Sequence, residues 1–436
     1  MELRTFVGGV HPAPSKERTA GSPIQAAPLP RRVVIPLAQG GAPCDPLVNK
    51  GDAVLVGQKI GESKAFVSAP VHASISGKVV GIETCLLPTG REAPAVIIEG
   101  DGTDTWIDST GRKLEELSPE SLKALIREAG LVGMGGAMFP THVKVSPPPG
   151  KSFDSVIING AECEPFLTCD QRLMVEEPEK IILGLKAWLK VTGAKRGYIG
   201  IENNKPEAIS ALKRAAADEK DIEVVPLRTK YPQGSEKQLI KAILGREVPS
   251  GGLPVDAGAL VQNVGTTYAL ATALETGRPL VERVVTVTGT PVKNPQNLRV
   301  RIGTLVSDLL SYCGVEGEVG KIISGGPMMG IALPTADVPV IKGTSGILLL
   351  TIEEATTLPE RACIRCGRCV DACPIGLIPT FLDQFCRKEM WDLAEDYHVQ
   401  DCIECGSCAY VCPSKRHLVP ALRLGKAEVL ARRRRK

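Results

Sequence analysis

Aromatic side chains are scarce in this chain: Phe, Trp and Tyr together make up 4% of its 436 residues. That scarcity argues against a nucleic-acid platform, where successive bases need rings to stack on. Charge of one sign is lacking as well. The formal net charge is +3, from 52 basic and 49 acidic residues, too small an excess to imply a polyanionic partner. No run approaches the roughly 18 uninterrupted apolar residues of a membrane-crossing helix. The opening Met1-Glu2-Leu3-Arg4 leads into Gly and Pro, not into an apolar signal core, so no secretory leader is expected.

Cysteine is plentiful, and eight of the 14 cysteines fall into a pattern that occurs twice. Cys363, Cys366, Cys369 and Cys373 precede Pro374; Cys402, Cys405, Cys408 and Cys412 precede Pro413. This C-x2-C-x2-C-x3-C-P run is the ligand set of two cubane iron–sulfur clusters, with the fourth cysteine of each run crossing to the other cluster. One cluster is expected on Cys363, Cys366, Cys369 and Cys412, the other on Cys402, Cys405, Cys408 and Cys373. Zinc would want two C-x2-C pairs; disulfides are the other alternative. The remaining cysteines (Cys44, Cys85, Cys163, Cys169, Cys313, Cys386) form no second framework. Cys386 reads as packing. So many thiols suit a reducing compartment.

The length suggests roughly three domains. An extended, Pro-rich arm covers 1–30. Short β runs between Gly, Pro and Asp turns cover 31–110 and resemble a lipoyl-type barrel-sandwich. There only five residues separate Lys64 from Pro70, and it reads as an exposed lysine. Residues 111–280 alternate helix and strand, an α/β domain with a largely parallel sheet. It opens with a helix capped by Ser118, with Pro119 at its first position and Gly130 at its end. Residues 281–354 read as a small β-grasp module. The two-cluster domain takes 355–425, where Leu377, Ile378, Phe381, Leu382 and Phe385 share one helical face. A basic tail, 426–436, ends the chain. It is either solvated or in contact with an anionic surface.

A second chemical signal lies at Gly130–Lys144. Gly133, Gly135 and Gly136 let backbone N–H groups approach a phosphate or flavin, and Lys144 can neutralise one. A helix precedes these glycines, so this is not the dinucleotide fingerprint; an irregular turn is the plain alternative. The following strand runs into Asn159, Glu162 and Glu164 at its C-terminal end, where parallel sheets bind ligands.

Gly-x-Gly-Gly-Ala-x-Phe-Pro-Thr-x-x-Lys followed by Asn-x-x-Glu-x-Glu-Pro is similar to the NADH- and FMN-binding subunit of respiratory complex I. The whole module order, an α/β multidomain chain of barrel-sandwich, flavin domain, SLBB β-grasp and two-cluster ferredoxin domain, resembles the RnfC family. Those are the NADH-facing subunits of the Rnf ferredoxin:NAD⁺ oxidoreductase complex. The resemblance implies a non-covalent FMN site at Gly133, Gly135, Lys144, Asn159, Glu162, Tyr231, Gly234, Glu236, Asn263 and Thr266. It implies NADH binding near Gly136, Phe139 and Glu164. Met134, Ala161, Ser235 and Gln262 stand where the complex I pattern has arginine, aspartate, glutamate and asparagine.

The activity so implied is hydride exchange between NAD(H) and FMN, with single electrons passing through two [4Fe–4S] clusters. No catalytic acid or base is needed beyond positioning. The implied partners are membrane subunits and the iron–sulfur subunit of the complex, with ferredoxin reached through it and no nucleic acid. The implied place is the cytoplasmic side of the cell membrane, peripherally held. A soluble relative with the same modules, the cobalamin reductase of propanediol-utilising microcompartments, is the alternative; neighbouring genes would separate the two. A cluster-bearing scaffold with a degenerate flavin loop is a third, separated by flavin absorbance.

Overall fold

A computed structural model describes residues 3–435. Met1, Glu2 and Lys436, the outermost residues of the expected arm and tail, lie outside them. The arm has no sequence period because its partners are distant in the chain. Arg4 bridges to Leu227 and Val10 to Tyr231. Ile24–Ala26 then forms a strand, parallel to Gln296–Arg301 at the edge of another module's sheet.

The barrel-sandwich stacks a four-stranded antiparallel sheet, Arg32–Pro36, Glu92–Gly100, Gly77–Leu86 and Ala53–Val54, with a three-stranded one. Alternating Val33, Ile35, Val79, Val96 and Ile98 fill the space between them. Gly77 cannot be replaced cheaply: an added Cβ would stand 1.9 Å from the Glu99 carbonyl oxygen. Lys64 is exposed in a bend.

The α/β domain is built on a wholly parallel sheet in the order Ile222–Leu227, Arg196–Glu202, Ser155–Gly160, Ala259–Asn263. The chain works outward from Ser155–Gly160 on one side and then crosses back to add Ala259–Asn263 on the other. That reversal makes a topological switch point, where the crevice beyond the strand ends takes ligands. The entry helix Pro119–Glu128 forms where its signals place it: Ser118 Oγ accepts the Ser121 N–H at 3.1 Å, and Leu122 and Ile126 are buried. The β-grasp module centres on Glu282–Gly289, flanked by Gln296–Arg301 and Gly346–Thr351.

In the cysteine-rich domain the expected helical face is shorter than the apolar spacing suggests. The helix is Pro379–Arg387, so Leu377 and Ile378 precede it, and Phe381 is exposed. Pro379 explains the boundary, because it fits the first helical turn and restricts the residue before it. Leu382 and Cys386 are buried there, the latter as packing. The described residues of the expected tail, 426–435, belong instead to the helix Leu418–Arg435, whose Leu422 and Val429 pack on the domain.

Three modules meet at Lys342. Its buried ammonium donates to Pro70 O of the barrel-sandwich and Gly130 O of the α/β domain, each at 2.8 Å. Burial pulls its pKa from the ordinary 10.5 to about 7, and burial with the Lys342 charge lowers that of neighbouring His72. Between those two Lys342 values the unfolded chain binds more protons than the folded one, so stability rises with pH across that window. The gain is lost as pH falls back to the folded value, and below it both states carry the proton and the contribution is level. The urea midpoint should follow this rise, with a limiting slope on the order of 1.4 kcal/mol per pH unit. Lys342→Met should flatten it. An unchanged slope in the variant would remove Lys342 as its source.

Candidate functional site

The switch-point crevice is set by two asparagines. Asn159 and Asn263 end adjacent parallel strands and pair in register. Each side chain is fixed by its own bonds. Asn159 Nδ2 donates to Gly234 O at 2.7 Å, and its Oδ1 accepts the Ala161 N–H. Asn263 caps the helix Val264–Thr276, with Oδ1 2.8 Å from the Gly265 nitrogen, while its Nδ2 donates to Asp170.

The glycine loop lies against this crevice. A Cβ on Gly135 would stand 3.6 Å from Asn263 Cβ. Thr266 Oγ1 accepts the Met134 N–H at 2.9 Å, and the Gly133 N–H donates to Phe139 O. Between these anchors, the N–H groups of Gly135, Gly136 and Ala137 meet no protein acceptor among the described residues. A Cβ at Gly136 would meet nothing within 4 Å. Three free amides in a glycine turn are the donor set that a phosphate wants. Lys144 follows on the short helix Thr141–Lys144 and pairs with Glu236. Phe139 is 45% exposed. Phe66 of the barrel-sandwich meets His142 edge-on, their ring centroids 5.6 Å apart. The free amides of this turn fit the phosphate of an FMN.

Three expected site residues are committed elsewhere. The resemblance puts Glu164 against nicotinamide, but its oxygens accept the N–H groups of Met328 and Met329 in the β-grasp module. It puts Glu162 on the flavin, but the oxygens of that residue accept the N–H groups of Asp170 and Gln171 at the start of the helix Cys169–Glu176. Tyr231 is 1% exposed and donates its hydroxyl proton to Cys405 O at 2.8 Å, on the cluster side. In each case the side chain meets a backbone group of another segment, which local sequence does not record. Asp170 is a residue the sequence did not single out. Burial, then the Glu162 charge, pushes its pKa up to about 7 beside Asn263. A titratable group so perturbed in a crevice is a candidate functional position.

The second centre is a cavity lined by Cys373, Cys402, Cys405 and Cys408. That is the crossed set expected from the repeat. Backbone N–H groups point at the sulfurs: Leu377 at Cys373 Sγ, 3.3 Å, and Glu404 at Cys402 Sγ, 3.4 Å. Burial pushes the Cys402 thiol up to about 11 and raises Cys408, with the charges of the neighbouring cysteines adding to both. Four thiolates in such a place need cationic compensation, which iron supplies. The first motif repeats the backbone: Arg365 and Glu404 share positive φ (55° and 57°), as do Gly367 and Gly406. Burial raises the pKa of the Cys369 thiol, and the charges of Cys363 and Cys366 add to it.

Fold and site define an iron–sulfur flavoprotein component of an oxidoreductase. Four family models match in chain order. They are the RnfC barrel sandwich hybrid domain (4–103), the Nuo51 FMN-binding domain (126–272), the SLBB domain (284–332) and the 4Fe-4S dicluster domain (362–416). The chain is 50% identical over 435 residues to the RnfC subunit of the Na(+)-translocating ferredoxin:NAD(+) oxidoreductase complex of Acetobacterium woodii, covering 99% of this chain and 98% of that one. It is 51% identical over 431 residues to the counterpart in the proton-translocating complex of Clostridium ljungdahlii, covering 98% and 94%. An NAD+-reducing [NiFe]-hydrogenase structure shares the fold at TM-score 0.50 and 18% identity, over 66% of this chain and 55% of that one. The chain belongs to the RnfC family of ion-translocating ferredoxin:NAD(+) oxidoreductase complexes.

Cys373→Ser should disturb the cluster built by Cys402, Cys405 and Cys408, read as a changed low-temperature EPR signal of that cluster with the other retained. A variant that spares it would break the crossed assignment. Lys144→Ala should weaken FMN by about 1.5–3 kcal/mol, the range for a charge-assisted bond, measured by flavin fluorescence titration. Wild-type-like retention would take Lys144 out of the site.

Proposed function

We propose that this oxidoreductase subunit exchanges a hydride between NAD(H) and FMN and passes single electrons through two [4Fe–4S] clusters. It would do so on the cytoplasmic side of the cell membrane, held peripherally by the membrane subunits and iron–sulfur subunit of its complex. Among the described residues no helix is long and apolar enough to cross a membrane. The observation that carries the reading is the pairing of Asn159 with Asn263 at the switch point, beneath a glycine turn with three free amides.

When bound, FMN supplies the conversion between a two-electron hydride carrier and one-electron acceptors. The chain's own residues then have positioning tasks. The N–H groups of Gly135, Gly136 and Ala137 would hold the phosphate, with Gly133 shaping the turn. Lys144 would add charge, its own position fixed by Glu236. Asn159, Asn263, Gly234 and Thr266 would form the floor. Phe139 and Gly136 would face the dinucleotide.

The second motif is buried against the rest of the molecule, with Cys405 and Cys408 at 7% and 8% exposure, while Cys366 is exposed. The buried cluster would therefore receive electrons from the flavin, and the outer one would exchange them with the partner subunit. Two electrons from one NADH would have to leave singly, each reducing one cluster by one, because a [4Fe–4S] centre takes one electron at a time.

The test is the anaerobically purified, iron-loaded chain. It should show flavin absorbance and about eight irons, the sum of two four-iron clusters. NADH should bleach the flavin. In Cys366→Ser, NADH should still reduce flavin and the inner cluster, while delivery to the partner subunit is lost. A chain without flavin, or one that NADH leaves oxidised, would sink the proposal.

A further inference from the structure

One short segment touches both centres. Tyr231–Glu236 begins on the cluster side, where the Tyr231 hydroxyl donates to the carbonyl of Cys405 at 2.8 Å. Three residues on, Gly234 O accepts from Asn159 Nδ2 at 2.7 Å on the crevice side, and Glu236 pairs with Lys144. The segment is rigid at the near end: Val10 and Tyr231 exchange both backbone bonds, at 2.8 and 2.9 Å. The packing around it is apolar. Tyr231, Val10, Ala372 and Cys405 form one buried cluster with Cys163, Met328 and Val411 against it. Cys163 Sγ accepts the Gly234 N–H at 3.2 Å, closing the segment onto the strand-end loop.

We propose that Tyr231 is a positioning residue for electron passage: its hydroxyl orients the Cys405 peptide at the inner cluster and ties that cluster to the flavin crevice through the segment 231–234. This deepens the reading above and rests on it. The electron that leaves the flavin site oxidises it by one and reduces the inner cluster by one. No proton need cross, so the phenol keeps its proton and serves as a fixed dipole. Hydrogen bonds around a cluster set its potential, and the positive end of this O–H dipole points at the carbonyl oxygen of Cys405, in the same residue as the ligating sulfur. It favours the more negative, reduced cluster.

Tyr231→Phe keeps the ring and deletes the dipole. In the full, iron-loaded chain, flavin content, iron content and the rate of flavin bleaching by NADH should match the wild type. EPR-monitored redox titration should show the inner cluster shifted to more negative potential and the outer cluster unmoved. Stopped-flow should show cluster reduction slowed after the flavin is reduced. Ser250→Ala is the docking control, since Ser250 bonds the Asp401 side chain across the same domains without touching a cysteine; it should shift neither potential. Unchanged inner-cluster potential and cluster reduction in Tyr231→Phe would overturn the inference, as would an equal shift in Ser250→Ala. If Tyr231→Phe loses iron, Tyr231→Trp restores a ring and a donor; a wild-type potential pattern is then expected, and its absence overturns the role. A wild-type chain lacking flavin would instead overturn the underlying reading and this inference with it.

Discussion

A buried loop without secondary structure must find donors for its carbonyls, and residues 161–167 are such a loop. Two lysines solve the problem. Lys16, from the arm, donates to the carbonyls of Glu162, Glu164 and Leu167. Lys205 donates to Ala161 O at 2.7 Å and to Glu202 at 3.3 Å. An ammonium taken from water is costly unless its protons are met, and here each is met several times. Lys205 also has a buried carboxylate partner. Lys16 has mainly carbonyl dipoles, and burial lowers its pKa. With the loop so held, Glu162 can cap one helix, Glu164 can grip the β-grasp module, and Cys163 can close on Gly234.

That arrangement explains which parts of the molecule were legible in its sequence. The grouping of Cys373 with Cys402, Cys405 and Cys408 around one cavity was legible because a cube fixes the spacing of the three cysteines that wrap it, and that spacing is local. The crevice was legible because strand, glycine turn and capping asparagine each leave a short signature. Asn263 is both cap and crevice wall, and one residue type serves both. The roles of Glu164 and Tyr231 were not legible. Glu164 meets an amide 164 residues away, and Tyr231 a carbonyl 174 residues away. A carboxylate at a strand end looks the same whether it faces a ligand or a neighbouring module. The arm hid for the same reason: Lys16 and Val10 have meaning only against partners far along the chain.

The two cysteine motifs show how equal local sequence acquires unequal function. Their positive-φ residues match one for one, so the backbone loops are alike. Tertiary placement differs. Tyr231, Gly8 and Gln238 press on the Cys373–Pro374 and Cys405 region, with Gln238 Nε2 3.0 Å from Pro374 O. The other motif leaves Cys366 and Ile364 exposed. Burial and hydrogen bonding tune a cluster's potential for a fixed ligand set, so two copies of one motif placed so differently would hold clusters of different potential.

The final helix bears on attachment. A run of arginines at a chain end invites the idea of an anionic surface, each charge contributing about 1 kcal/mol near such a surface. Here Arg433 instead pairs with Glu395 at 2.6 Å, and Arg432 lies 3.6 Å from Asp392 and over the Trp391 ring. Exposed pairs of this kind stabilise by only about 0–1 kcal/mol. They nevertheless place an acidic side chain beside two of the charges, which cancels much of their field at a Debye length of about 8 Å. The helix is therefore held by Leu422 and Val429 against its own domain, and its net field is smaller than its sequence suggests. Retention at a membrane complex would then fall mainly to protein–protein packing, for which the exposed Ile364 beside Cys366 offers apolar surface.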